Sequence, residues 1–512
     1  MKKLIILTLG LFIVQTSHSQ DITDALRYSQ DEIQGTARFR ALSGAFGALG
    51  GDMSAVSINP AGSAVFTSSH VSLSLANNNI KNETRYFNGS SSARDSNFDL
   101  NQTGAAFVFY NRNENSNWKK FSLGVAYDKT NDFDNDWLAV GTSNTSIDRY
   151  FLDRTEAGEF EFGVLKLLPG EYIEEAYADI GSNYGYDYQQ VFLGYWAGII
   201  DPVNMDNDTN DNNIDYISNT APATAFNQEY FYASTGYNGK FAFNFATQFK
   251  DKLYLGLNLN SHFINYDKTT HFYETNSDPN SLANDVFFEN RLSTTGSGFS
   301  FQLGAIANIT ENFRAGLAYN SPTWYRIDEE LSQNINSNIA DPEINYISTV
   351  INVYPSYKLQ TPGKFTGSLA YIFGKHGLIS FDYSIKDYGN TKYRPTSDTY
   401  FSRLNQDISN RLTTASTYRF GGEYRIKQLS LRAGYRLEES PYKEDRNDSN
   451  YVGDLDGYSL GLGYNFGKFN IDLSFDHAER DYKNQLYSVG LTNRASINNS
   501  NNNVILTVGF SL

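Results

Sequence analysis

The 512-residue chain is predicted to be all-β, folding as an up-and-down antiparallel transmembrane β-barrel of about 14 strands. Three observations predict it. Apolar and polar residues alternate with period two over many segments, and the connections between these segments alternate short and long. The N-terminus reads as an export signal, and no later stretch approaches the ~20 continuous apolar residues of a membrane helix. Only helices and closed barrels satisfy every backbone group in lipid, so an exported membrane protein without apolar helices must close its strands on themselves.

Lys2 and Lys3 precede an apolar run from Leu4 to Val14, then polar residues Gln15 to His18 and the small-residue pattern Ser17-His18-Ser19. This is the three-part pattern of a secretory signal peptide, here cut near Gln20. The chain accordingly divides into 1–19, the signal peptide; 20–65, a segment outside the barrel; and 66–512, the barrel. The absence of cysteine excludes disulfides, thiolate metal sites, thiol nucleophiles and a lipidated Cys at the cleavage point. The 37 Tyr and 36 Phe, in a chain of mean hydropathy −0.47, fit a barrel whose lipid face alternates with a polar lumen. A net charge of −16 argues against nucleic acid as a partner and reads as an acidic, solvated loop surface.

The alternation is clearest toward the C-terminus. Leu253, Leu255, Leu257 and Leu259 oppose Tyr254, Gly256, Asn258 and Asn260, and the preceding Phe241, Phe243, Phe245 and Phe249 oppose Ala242, Asn244, Ala246 and Gln248. The short Lys250-Asp251 link makes these two segments a hairpin. The same pattern places strands near 66–76, 103–110, 119–128, 239–249, 252–264, 297–308, 312–320, 363–373, 377–386, 415–426, 428–437, 456–466, 469–478 and 503–512. Connections after even strands are short, whereas 77–102, 129–238, 265–296, 321–362, 387–414, 438–455 and 479–502 are long. Short periplasmic turns and long extracellular loops produce this parity, which a soluble sandwich or propeller has no reason to obey. The last strand alternates through Val504, Leu506, Val508, Phe510 and Leu512, as a strand pairing with the first strand would.

Segment 20–65 is rich in Gly, Ala and Ser, which lets a backbone pack closely inside a lumen. Loop 129–238 carries apolar stretches at Phe160 to Leu168 and Val191 to Ile200 around a helix-like Glu171 to Ile180, so a folded cap is expected there.

Several motifs carry little weight. Gly44, Gly47 and Gly50 have dinucleotide-loop spacing without a preceding strand or a βαβ unit. The run Asp206 to Asp211 resembles a calcium loop, but Asp211 stands where Gly is needed and Ile217 where the bidentate Glu is needed. The histidines are scattered, and no HExxH or GxSxG pattern occurs, so no enzyme chemistry, metal or cofactor is expected. Strand parity turns Arg419, Arg425, Arg432 and Arg436 into the lumen with Glu423, Asp472 and Asp476. Two readings stand for these arginines: a salt-bridge ladder filling the lumen, or contact of one Arg with a substrate carboxylate.

The segment GAFGALGGDMSAVSINPAG, with Gly44, Gly47, Gly50, Gly51, Asn59, Pro60, Ala61 and Gly62, resembles the N-terminal hatch of the FadL/TodX family of hydrophobic-compound transporters, in which an Asn-Pro-Ala motif is typical. GFSFQLGAIANITENFRAGLAYNSP from Gly298, TYRFGGEYRIKQLSLRAGYRLEESP from Thr417 and DGYSLGLGYNFGKFNIDLSF from Asp456 are similar to family hairpins. The likeness is weak in 129–238, and Leu512 stands where family members often end in Phe. The resemblance implies a 14-stranded outer-membrane barrel of a diderm bacterium, plugged by residues 20–65. It further implies an extracellular capture site and sideways exit through a strand distortion.

The function so implied is passive uptake of hydrophobic small molecules, long-chain fatty acids first and aromatic hydrocarbons second. The expected partners are that ligand, outer-membrane lipid or detergent-like amphiphiles, and the barrel-assembly machinery. An adhesin anchored by a barrel, a general porin and a membrane-embedded hydrolase are the rival readings. A glycine-rich hatch has no use in an adhesin, and conductance separates a porin.

Overall fold

The computed structural model describes residues 20–113, 115–203, 211–222, 225–443 and 450–512; the predicted signal segment and most of the Asp206–Asp211 run lie outside these residues. Fourteen antiparallel strands form one closed wall. They are β1 His70–Tyr86, β2 Gly89–Tyr110, β3 Trp118–Asp132, β4 Phe226–Phe249 and β5 Leu253–Thr275. Then come β6 Asp285–Asn308, β7 Phe313–Asn320, β8 Lys364–Ile372, β9 Gly377–Asp387 and β10 Thr414–Ile426. The last are β11 Leu429–Glu438, β12 Tyr451–Asn465, β13 Phe469–Gln485 and β14 Arg494–Ser511. Each pairs with its neighbour in the chain, and β14 closes on β1 from His70↔Ser511 to Arg85↔Ser496.

The outer wall carries the apolar half of each alternation. Phe107, Phe243, Leu303, Leu369, Phe420, Leu460 and Leu506 are all exposed there. Exposed aromatics gather at the turn end of the strands, with Phe466 and Phe469 stacked at 4.5 Å and Phe109 and Phe121 at 4.9 Å. Such a girdle marks a membrane interface.

Two expectations need correction. The first strand begins at His70 instead of 66, because Phe66 ends a short helix at Pro60–Val65 and its carbonyl accepts from Lys120 Nζ at 2.6 Å. The connections 77–102 and 265–296 are mostly strand: β1 and β2 turn only after Tyr86, and β5 reaches Thr275. Above the membrane the outer face of these extensions is polar and the inner face packs on the plug or cap, so the lipid-facing half of the alternation is missing. Spans of 23–24 residues in β4 to β6 far exceed the ~9–11 that a bilayer needs.

Segment 129–238 contains the expected cap, with helices at Asp148–Ala157, Ile173–Tyr184 and Tyr186–Trp196. Phe151, Tyr177, Phe192 and Leu193 pack with Phe272, Phe288 and Ile335 of the extended wall. The Glu274 carboxylate on β5 anchors the cap, accepting from Ile147 N at 3.1 Å and Gln228 Nε2 at 2.7 Å.

Residues 20–66 lie inside the barrel, largely without regular structure, and wall side chains take up their backbone polar groups. Asn258 Nδ2 donates to Val56 O at 2.9 Å, Gln302 Nε2 to Ser57 O at 3.0 Å, Arg314 Nη1 to Leu49 O at 3.0 Å and Asn101 Nδ2 to Gly35 O at 2.9 Å. Asp382 Oδ2 accepts from Phe46 N and Gly47 N at 3.0 and 2.9 Å. The wall comes this close because its inward face is glycine at the contact points. A Cβ on Gly256 would fall 2.3 Å from Ala61 N, one on Gly304 2.0 Å from Asn59 Oδ1, and one on Gly316 2.3 Å from Gly47 O.

Substituting Gly256→Val therefore forces an overpacking cost of about 1–3 kcal/mol onto the plug, because the nearest atoms are backbone. In planar bilayers the variant is expected to show open-channel conductance that the parent lacks, while keeping the heat-modifiable gel mobility of a folded barrel. Parent-like silence would mean that the plug does not depend on this contact.

Candidate functional site

The hatch motif residues sit where plug and wall interlock. Asn59 is buried, and its Nδ2 donates both to Gly47 O of the plug at 2.8 Å and to Ala305 O of β6 at 3.0 Å, while its Oδ1 accepts from Ala61 N at 3.1 Å. Pro60 opens the short helix and gives its carbonyl to Asn244 Nδ2 at 2.9 Å. Gly51 N donates to Gly62 O at 3.0 Å, tying the two arms of the plug together, and Gly50 has a φ of +60°, which a side chain would strain. Gly44 packs against Phe39 and Ile33, and Gly47 against Ser368.

The four arginines divide into two groups. Arg432 lies below the plug, bonded to Glu423 at 2.7 Å and Asp472 at 2.5 Å, and Arg425 pairs with the same Glu423 at 2.5 Å. Arg38 of the plug adds a third guanidinium to Glu423 at 3.0 Å. These are satisfied ion pairs, and the one from Arg38 binds plug to wall.

Arg419 and Arg436 lie in the extracellular half and face each other directly across β10 and β11. Their nearest carboxylate oxygen is Glu438 Oε1, at 4.0 and 3.9 Å, and Arg480 takes Glu438 Oε2 at 3.1 Å. Arg419 Nε and Arg480 Nε are buried and meet no protein acceptor. Beside them Lys364 and Lys386 form another directly opposed like-charge pair, across β8 and β9. Asp31 of the plug joins these two, at 2.8 and 3.3 Å.

Like charges opposed across an antiparallel pair are destabilising, and both such pairs meet at the cleft lined by Asp31, Lys364, Lys386, Arg419, Glu438, Glu439 and Arg480. With Arg436 it holds five cations against three carboxylates, and Asp382 stands opposite Arg419 across β9 and β10. Enclosure in the lumen favours the neutral form of Asp31, but the two ammonium groups outweigh it and hold the carboxyl well below the ordinary carboxylate range. Parity had turned Arg419 and Arg436 inward. Lys364, Lys386, Asp31 and Arg480 went unnoticed, and a register that pairs Lys364 with Lys386 was the signal that would have found them.

Above the cleft lies a buried aromatic cluster. Tyr28 of the plug, Phe133, Tyr266, Tyr325, Tyr357, Tyr393, Phe401 and Tyr442 pack together there, and Tyr388 lines the cleft while packing against this cluster.

On the other side lies a break in the wall. The β2–β3 ladder stops at Gln102↔Asp128, beyond which β3 pairs with β4 alone. Just there Asn101 bulges from the β1–β2 register. Side chains close the break: Lys129 bonds Asp99 and Asp132, and Asn97 Nδ2 donates to Asp132 Oδ2 at 3.1 Å. The plug covers it from inside, with Glu32 N donating to Thr130 O at 3.2 Å and Asn131 Nδ2 to Gln30 O at 3.0 Å. Outside, Phe98 and Leu100 flank the break and are exposed.

Among the described residues no group of three His, Asp or Glu is placed to hold a metal. Asp211, the one described member of the acidic run, pairs with Lys166 at 2.8 Å.

Comparison with known proteins agrees with this architecture. The chain superposes on a Pseudomonas aeruginosa FadL homologue with a TM-score of 0.53 at 12% identity, covering 94% of this chain and 98% of that one. It superposes on the Pseudomonas putida toluene transporter TodX with a TM-score of 0.52 at 12% identity, covering 94% and 99%. No curated protein sequence is significantly similar. The outer membrane protein transport protein family (OMPP1/FadL/TodX) matches residues 211–511, and the chain belongs to this family of outer-membrane β-barrel transport proteins, which are channels and not enzymes.

Proposed function

We propose that this barrel passes long-chain fatty acids, or amphiphiles of the same build, passively across the outer membrane. The mature chain begins at Gln20, and residues 20–65 act as the hatch. The aromatic cluster above the cleft takes up the apolar chain, Arg419 and Arg436 receive the carboxylate, and the ligand leaves sideways through the break between β2 and β3. The observation that carries this reading is the Arg419↔Arg436 pair, two guanidiniums opposed across a buried ladder with no carboxylate oxygen nearer than 3.9 Å. A bound carboxylate supplies the charge and the acceptors that the pair lacks.

Magnitudes decide what the site senses most. Burying a methylene contributes about 0.8 kcal/mol, so ten give a gross gain of about 8 kcal/mol, against about 1.5–3 for a charged hydrogen bond. Calorimetric affinity across a fatty-acid series is therefore expected to rise steeply with carbon number. Arg419→Gln or Arg436→Gln is expected to weaken each acid about tenfold and to leave the matched alcohols unchanged. Tight binding of short polar solutes, or no binding at any length, would reject the proposal.

Asp31 neutralises Lys364 and Lys386, the cations that neighbour the arginine pair in the same cleft. Asp31→Asn is expected to tighten binding of a carboxylate amphiphile severalfold without affecting the alcohol. Because the folded pKa of Asp31 is depressed, its pairing contributes above its unfolded pKa of about 3.9 and is lost only as pH falls through the lower folded value. Parent binding is thus expected to show no Asp31-linked step between pH 8 and 5. A weakening in Asp31→Asn would instead assign Asp31 to the ligand site itself.

A further inference from the structure

The lipid-facing wall of β8 to β11 is not a uniform apolar surface. Gly422 and Ala433 are paired neighbours pointing outward, in a row with Ile379 on one side and Leu460 on the other. Nothing lies within ordinary contact of a Cβ built on Gly422 except Leu378 O, at 3.9 Å. Around these small residues stand Leu369, Phe381, Phe420 and Tyr435 on the extracellular side and Phe373 and Tyr424 on the periplasmic side. The result is a groove of two joined parts, about 740 and 510 Å³, that share Ile379, Gly422 and Ala433 and end at His376 in the β8–β9 turn. From His376 to Phe381 it runs five residues, roughly 17 Å at ~3.3 Å per residue, close to the ~15 Å depth of one leaflet.

The periplasmic end of the groove is basic. The β8–β9 turn is joined to the end of β10 by Arg425 N donating to His376 O at 2.8 Å, and Asn465 N donates to Gln428 O at 3.0 Å to join the next turn. The three turns on the β8 to β13 side, 373–376, 427–428 and 466–468, contain Lys375, His376, Lys427 and Lys468 and no acidic residue, in a chain of net charge −16, while the turn on the other flank, 309–312, adds the single acid Glu311. Lys375, His376, Lys427 and Lys468 are all exposed. An apolar slot one leaflet deep, capped at the interface by cations, is complementary to an anionic lipid and to nothing in the aqueous lumen.

We propose that this groove binds one anionic glycerophospholipid of the inner leaflet, with an acyl chain along Gly422 and Ala433 and the phosphate against Lys375, His376 and Lys427. The site is distinct from the lumenal cleft, which lies on the other face of the wall.

Native mass spectrometry of the whole purified barrel tests this with dioleoylphosphatidylglycerol and dioleoylphosphatidylcholine as probes. The parent is expected to retain one phosphatidylglycerol under activation that strips all other lipid. The double variant Lys375→Gln/Lys427→Gln, at exposed turns where folding is not at risk, is expected to retain about tenfold less and to lose its preference over phosphatidylcholine. Gly422→Phe/Ala433→Phe is expected to retain neither lipid, while Ala105→Phe on the opposite wall behaves as the parent; heat-modifiable mobility verifies that each is folded. If Gly422→Phe/Ala433→Phe does not fold, Gly422→Leu replaces it. Equal retention by the parent and the lysine variant, or equal loss in Ala105→Phe, would overturn the proposal.

Discussion

An irregular chain enclosed in a membrane barrel must find a partner for every backbone donor and acceptor, and the rest of this structure is arranged around that demand. Helices and ladders satisfy themselves, but residues 28–60 form only two short helices. The wall therefore turns Asn101, Asn244, Asn258, Gln302, Arg314 and Asp382 inward to meet plug carbonyls and amides. The Asn and Asp side chains among these are short, so the plug must approach the strands closely, and that requires glycine on the wall. Asn59 completes the arrangement by reaching outward from the plug to a strand carbonyl.

The same enclosure sorts the charges. Below the plug, Glu423 collects Arg38, Arg425 and Arg432, and Arg432 also meets Asp472, so each guanidinium has a carboxylate oxygen within 3.0 Å. Above it, five cations share three carboxylates, and two pairs of like charges stand opposed across ladders. Guanidiniums left 3.9 Å or more from any carboxylate oxygen are costly to bury unless an anion joins them, and that contrast is the ground for proposing the ligand in the upper cleft and not in the lower network. Plug residues 30–32 link the cleft to the break in the wall, since Asp31 holds the lysines while its neighbours hold β3.

Much of the barrel was legible in the sequence because lipid on one side and water on the other leave a period-two trace in each spanning strand. Phe241 to Phe249 and Leu253 to Leu259 could be assigned a face without any tertiary information. The trace vanishes where the outer face leaves lipid for water, which is why the upper halves of β1, β2, β5 and β6 read as loops. The site was half legible for a related reason. Alternation says which face Arg419 and Lys364 occupy, but register decides which residue each confronts, and register depends on turn geometry and bulges such as that at Asn101. The plug has no periodicity at all; its glycines were visible, but the wall positions that receive them were not.

The central claim is that the lumen is closed to water and ions yet passes apolar amphiphiles, and proteoliposomes measure both at once. Vesicles containing the parent barrel, an enclosed ion indicator and an enclosed fatty-acid-binding reporter are challenged with salt and with a long-chain fatty acid presented on a non-transferable carrier. The account predicts reporter signal that grows with the amount of barrel while the ion indicator stays at the level of empty vesicles. Ion entry proportional to the amount of barrel, without a gain in fatty-acid signal over empty vesicles, would contradict it and describe an open porin instead.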